Sequence, residues 1–298
     1  MRITIVGTGA MACLFGARLA AVAPHAVTIV GTWLDGLAAL RRRGVVLSDE
    51  LGTAAHPVEA VPLGHPVKQA EIVLVLVKAW QLETVLPHLA SLLKPGGIVL
   101  TLQQSLGNLE QLGPEACLGV TELEAALLEP GYVLAGPDRP THLAAPDWAV
   151  DVFRHAGLDV VSATPEQAIG LLWGMVAVRC SLEALSLILD APYGEMLARR
   201  EALLLMDRAI TECAMVAWAQ HLQLPFADPL FAVRHAAETR ARHTSPMRRD
   251  LRRGAPTEID ALNGAVAREG IRLGVHATVN EVLWHQVKAL AAGSTPRP

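Results

Sequence analysis

The chain has 298 residues, 52% of them apolar and 18% charged, with a formal net charge of -4. That length and composition support two globular domains with ample core. A mildly acidic chain whose arginines are scattered, apart from short runs such as that at 41–43, lacks the basic field nucleic acid requires, so no such partner is expected.

The opening MRITIVGTGAMACLFGARLAA mimics a signal peptide, but its glycine spacing fits a strand, a turn and a helix better. Strands are predicted over residues 2–6, 27–30, 72–77 and 98–101, and helices over 10–22, 33–43 and 80–93. This alternation marks a parallel sheet covered on both faces. The run IVLVLV is apolar on both sides, as a central parallel strand requires. Beyond Thr164 the β-branched runs disappear and helical spacing takes over. Thr164-Pro165-Glu166-Gln167 reads as a capping sequence, with Thr as N-cap, Pro at the first helical position and Gln two residues on. The expected fold is therefore an α/β Rossmann-like dinucleotide-binding domain over 1–164, an all-α domain over 165–291, and a frayed tail over 292–298.

No apolar stretch is read as reaching the roughly 18 residues of a membrane helix, so no membrane partner is expected. Cys13, Cys117, Cys180 and Cys213 lie far apart without C-x-x-C spacing, which fits free thiols in a reducing cytoplasm. The histidines include no H-E-x-x-H, so no metal is expected. Surface or packing roles are assigned to His276 and His285, and a partial core role to Trp33 in preference to adenine stacking.

The first chemical motif is Gly7-Thr8-Gly9-Ala10-Met11-Ala12, which follows the first strand and leads into a helix. In such a turn the first glycine permits the tight bend, the second admits a pyrophosphate to backbone N–H groups, and the small last residue lets helix and strand pack closely. After the second strand no acidic residue is placed to bond a ribose 2′-hydroxyl, which leans towards NADP, with NAD also open. Thr32, the amides opening the next helix, or Arg41 to Arg43 are the groups available for a 2′-phosphate; those arginines also read as a solvated helix end.

Further motifs are Val77-Lys78 with Gln81, Leu102-Gln-Gln-Ser-Leu-Gly-Asn108, Ser245-Pro-Met-Arg-Arg-Asp250 and Thr257-Glu-Ile-Asp-Ala-Leu-Asn-Gly264. Together with the glycine turn, they resemble the ketopantoate reductase family over nearly the whole chain. The resemblance implies a Rossmann domain, a helical domain of the type found in 6-phosphogluconate dehydrogenase, and NADPH-dependent reduction of a 2-oxo acid such as ketopantoate in pantothenate biosynthesis. Cofactor contacts would come from residues 7–12, Thr32, Lys78, Gln81 and Gln104. Helical second domains of such reductases often pair, so a homodimer is expected.

In the family a lysine protonates the developing alkoxide, helped by a glutamate and several asparagines and serines. Glu258 matches that glutamate. The lysine position holds Met175, and the positions of the two helix asparagines hold Arg179 and Glu183. Tyr193, Gln104 and Pro246 stand at three further polar positions, while Ser245 is retained. The resemblance thus places Glu258, Arg179 and Met175 at the catalytic positions, and Gln104, Glu183, Tyr193 and Ser245 at the substrate positions.

Met175, Arg179 and Glu183 recur at i, i+4 and i+8 and share one helix face. Two readings are open. Arg179 could bind a carboxylate or carbonyl, with water, Tyr193 or protonated Glu258 giving the proton; or Arg179 and Glu183 could form an ion pair filling the site, with Met175 simply packing. Correspondingly, the chain is read as an oxidoreductase acting on a small carbonyl compound, with a non-catalytic nucleotide-binding sensor or partner protein as the alternative.

Overall fold

The computed structural model describes residues 1–23 and 26–294. By packing, the chain divides into two compact units, one of residues 1–103 and 108–168, the other of 104–107 and 169 onwards. The division falls four residues beyond the expected boundary, inside a helix, and assigns Gln104–Gly107 to the second unit.

The first unit contains β1 (Ile3–Val6), α1 (Ala10–Val22), β2 (Val27–Gly31), α2 (Leu34–Arg43), β3 (Val45–Asp49), β4 (Gly52–His56), β5 (Glu59–Pro62), β6 (Ala70–Val75), α3 (Leu82–Leu92), β7 (Leu93–Thr101), α4 (Asn108–Leu112), β8 (Cys117–Thr121), β9 (Ala125–Glu129), β10 (Tyr132–Ala135), β11 (Thr141–Ala144), α5 (Asp147–His155) and β12 (Val160–Ser162). An eight-stranded sheet runs β12-β11-β8-β7-β6-β1-β2-β5 and is parallel throughout except at β8 and β11. β1 and the apolar stretch of β6 are buried in its centre; Ile5, Val6 and Ile72 to Val75 are fully shielded from solvent. Each such side chain contributes about 1.5–3 kcal/mol through burial.

A second sheet, β4-β3-β10-β9, was not anticipated from the sequence. The helix expected at 80–93 is a 3-10 turn, Ala79–Gln81, followed by α3, and β6 ends at Val75 rather than Val77. The cap expected at Thr164 is present: Thr164 Oγ1 accepts from Gln167 N at 3.3 Å, and Gln167 Oε1 accepts from Thr164 N at 2.9 Å.

That cap opens α6 (Pro165–Ile188), which continues into the second unit. There it is joined by α7 (Tyr193–Leu197), α8 (Arg200–Trp218), α9 (Pro229–Thr239), α10 (Pro246–Arg252), α11 (Asn263–Leu273) and α12 (Thr278–Ser294). α12 carries helix through Ser294, so residues 292–294 are helical, contrary to the frayed tail expected; residues 295–298 lie outside the described ones. α6 also corrects the membrane reading. It is long and apolar enough to cross a membrane by length and composition, but 72% of its apolar window is buried inside the protein. A helix apolar nearly all round is what a central core position selects.

Candidate active site

In the first unit, β1 pairs with β2 on one side and β6 on the other, so the strand order reverses at its carboxyl end. Such a switch point is where open α/β sheets bind ligands. Gly7 occupies it with φ 132°, and a Cβ there would lie 2.7 Å from the Leu76 carbonyl oxygen. Gly7 N donates to Val30 O at 2.8 Å, and Leu76 N donates to Val6 O at 2.8 Å, wedging the turn between three strand ends. Only glycine fits.

Gly9 differs. It is exposed, and a Cβ placed on it would meet nothing within 4 Å. The protein's own packing therefore leaves space over Gly9, the N-cap of α1. No side chain caps α1 and no acidic residue sits in its first turn. Its first N–H groups, around half-buried Ala10 and Met11, remain oriented for an anion, which the helix dipole also favours. Ala12 is fully buried, and Thr8 packs its methyl against Gly31. This turn fits a dinucleotide pyrophosphate.

Thr32 is exposed just past β2. Two of the arginines considered for a 2′-phosphate are engaged elsewhere: Arg41 Nε donates to Ala60 O at 2.8 Å, and Arg43 Nη2 donates to Pro130 O at 2.7 Å and pairs with Glu129 at 3.5 Å.

After β6, Gln81 braces the turn that carries Lys78. Its Oε1 accepts from Lys78 N at 3.1 Å, and its N–H donates to Lys78 O at 2.9 Å. Gln103 adds a brace that sequence reasoning missed, donating from Nε2 to Val77 O at 2.8 Å while its backbone N–H bonds Thr101 Oγ1 at 3.2 Å. The motif offered two adjacent glutamines, and only the strand-end geometry shows which one points back.

In the second unit, α6 brings Arg179 and Glu183 together as their spacing predicts. Arg179 Nε donates to Glu183 Oε1 at 2.6 Å and Nη2 to Glu183 Oε2 at 3.3 Å, a bidentate pairing. Nη2 also donates to Glu258 Oε2 at 3.2 Å, and Nη1 makes a short bond to the Gln104 carbonyl. Burial opposes charge on the guanidinium, but the two carboxylates outweigh it and push its pKa upward. Arg179 is thus permanently cationic and unable to act as a general acid. Its fork is already filled by Glu183, so the geometry that would grip a substrate carboxylate is taken.

Tyr193 is buried at the start of α7, and burial, with the nearby Glu183 carboxylate, holds its phenol well above the usual range. Met175 is half-buried one turn before Arg179. Ser245, expected among substrate contacts, is 0% exposed and works structurally: its Oγ accepts from Met247 N at 3.1 Å and caps α10, while its N–H donates to Ser186 Oγ at 3.1 Å. Cap-forming serines before a proline are favoured for that reason alone.

His285 stacks on Trp284 and is exposed. Among the described residues no group of three or more His, Cys, Asp or Glu side chains could hold a metal.

Comparison with known proteins resolves the lineage. The ketopantoate reductase PanE/ApbA model matches residues 3–148, and the model of that family's C-terminal region matches 168–291. A 2-dehydropantoate 2-reductase of Halobacterium salinarum is 30% identical over 281 residues, covering 89% of this chain and 91% of that one. The chain belongs to the ketopantoate reductase family. A crystal structure of a family member from Ralstonia eutropha JMP134 superposes with a TM-score of 0.92 at 28% identity, covering 99% of both chains. D-mandelate dehydrogenase, solved with NADH and anilino(oxo)acetate, superposes with a TM-score of 0.89 at 25% identity, again over 99% of both chains. The ketopantoate reductase fold, with its parallel-sheet unit and helical unit, is therefore the fold of this protein.

Proposed function

We propose that this protein is a cytoplasmic NAD(P)H-dependent reductase of a small carbonyl compound, a 2-oxo acid or close relative, for which ketopantoate is a poor substrate. The observation that carries the nucleotide half is the open space above Gly9 at an uncapped helix start. Bound reduced dinucleotide would supply the hydride. Residues 7–12 would hold its pyrophosphate, with Thr32, Lys78, Gln81 and Gln104 contributing further contacts.

Ketopantoate is disfavoured because neither acid nor clamp is available on α6. Met175 has no proton to give, and Arg179 is engaged by Glu183 and Glu258. Absence of a positioned acid lowers rate by about 10²- to 10⁴-fold. Assay of the purified protein with NADPH and ketopantoate tests this; turnover at ordinary enzyme rates refutes it.

For the cofactor we propose NADPH with NADH also accepted. With Arg41 and Arg43 engaged elsewhere, exposed Arg42 is left, with Thr32 and the amides opening α2, to meet a 2′-phosphate. A charged hydrogen bond contributes about 1.5–3 kcal/mol, so a single arginine contact would favour NADPH by about tenfold or more. Titrating both dinucleotides by fluorescence measures it.

The occupied fork of Arg179 favours a second reading, a nucleotide-binding relative without turnover that acts as a sensor or partner protein. Dinucleotide affinity without oxidation of NAD(P)H across a panel of aliphatic and aromatic 2-oxo acids would select it. A homodimer is proposed through the helical unit, where Leu204, Met215 and Trp218 leave an apolar stripe exposed along α8; light scattering tests it.

A further inference from the structure

The carboxyl end of β2 lies beside the glycine turn, and the aromatic residue that follows it has no part in the site described so far. β1 and β2 pair in parallel register, Val6 opposite Val30. The turn is tied to that end twice. Gly7 N donates to Val30 O at 2.8 Å, and the Thr8 methyl fills the place a side chain on Gly31 would take, 2.8 Å from where its Cβ would lie. Two residues beyond Gly31 stands Trp33, the N-cap residue of α2.

The partial core role expected of Trp33 accounts for only part of its surface. The six-membered ring of the indole rests on Gly36 in the first turn of α2, where a Cβ would meet Cε3 at 2.4 Å. Glycine weakens a helix interior; here it seats the ring, and any larger residue would push the indole away. Yet 38% of Trp33 stays exposed. An indole held by its own helix, with apolar surface left in water, is a platform organised in advance for a flat partner. Position says which partner. When a pyrophosphate lies at the start of the first helix of such a sheet, the adenosine end of the dinucleotide reaches the end of the second strand. There Thr32 and Trp33 link β2 to α2, and the first acidic residue, Asp35, already lies inside the helix.

We propose that Trp33 is the adenine platform of this protein, its indole stacking on the adenine ring of the bound dinucleotide and doing so equally for NADPH and NADH. This rests on the dinucleotide reading above and names the residue that anchors the adenosine end. Stacking engages the π face of the base and not the ribose, so what Trp33 contributes to binding is indifferent to a 2′-phosphate. Every group involved, from the glycine turn to Gly36, belongs to the first unit.

The test uses the full-length protein and two variants, Trp33→Leu, apolar without a π face, and Trp33→Phe, which keeps one. Affinities for NADPH, NADH and ADP-ribose, the last carrying the adenine end without the nicotinamide, are measured by fluorescence titration and displacement. Trp33→Leu should weaken all three by a common factor of about 5- to 150-fold, the loss that follows removal of one base-stacking ring. Trp33→Phe should stay within about threefold of the parent, because a phenyl ring still stacks. A second measurement needs no variant: ethenoadenosine diphosphate, a fluorescent adenine analogue, should lose emission on binding the parent protein as its ring meets the indole. Affinities of Trp33→Leu within about threefold of the parent overturn the proposal. So does a loss confined to NADPH, a loss in Trp33→Phe as large as in Trp33→Leu, or bound ethenoadenosine diphosphate that keeps its full emission. Absence of binding of either dinucleotide to the parent protein instead overturns the nucleotide reading beneath it.

Discussion

The glycine turn of the first unit and the arginine cluster of the second are both polar sites beside apolar cores, yet they are built in opposite ways. At Gly9 the protein leaves space and unpaired helix N–H groups, so the site is complete only with a ligand. At Arg179 the protein supplies its own counter-groups, two carboxylates and a carbonyl, so the site is complete without one. The contrast teaches that polar residues in a pocket announce binding only when their hydrogen-bonding capacity is left open.

The strongest way to break the comparison is Gly9→Asp. A side chain is accommodated there, so thermal stability should change little, while a carboxylate facing the phosphates should weaken dinucleotide binding by about 100-fold or more, the scale of a misplaced charge in a binding site. Unchanged affinity in a fluorescence titration would show that the open space is not the phosphate site.

Arg179→Met tests the other half. It leaves Glu183 and Glu258 without their buried cation, which costs about 3–5 kcal/mol, read as a lowered midpoint in urea. Adding Glu183→Met should recover part of that loss, because a buried pair replaced by apolar groups is often close to neutral. If the single variant is as stable as the parent, the cluster is not the closed unit described.

Gly7→Ala should cost about 1–3 kcal/mol from its positive φ, with the clash at Leu76 O adding to it. Unlike Gly9→Asp, it should lower the melting temperature, and that difference separates the two glycines.

The smallest effect lies at Glu71, away from both sites. Bonds from Lys94 and from Arg2 N hold its carboxyl down at about 2. A depressed carboxyl contributes stability that is present above its unfolded value of 4.5 and is lost as pH falls through about 2. Glu71→Gln should therefore cost no more than about 1 kcal/mol near neutral pH and flatten the acid limb of a melting-temperature profile. A limb of unchanged slope would assign that acid sensitivity to other carboxylates.

The nucleotide-binding frame was legible because its signals are local: a glycine turn, β-branched runs, and a cap at Thr164 whose two bonds form as spaced. The second sheet was not. β4 reads GTAAH and is almost wholly exposed, and β9 reads AALLE, so neither carries alternation strong enough to mark a strand. Their strand character comes from pairing with β3 and β10. The α6 face was half legible. Spacing forecast the bond between Arg179 and Glu183, but the bonds to Gln104 and Glu258 reach 75 and 79 residues along the chain. Those distant partners decide between an available arginine and an occupied one.

The four residues Gln104–Gly107 follow β7 yet belong by packing to the helical unit, the Gln104 carbonyl accepting from Arg179 and Leu106 N donating to Ala261 O at 3.0 Å. For anyone building chimaeras, this means that the halves are not interchangeable at a single splice. A graft joined near residue 168 would import a foreign strap from its donor, and matching that strap to the recipient's helices would decide whether the hybrid folds.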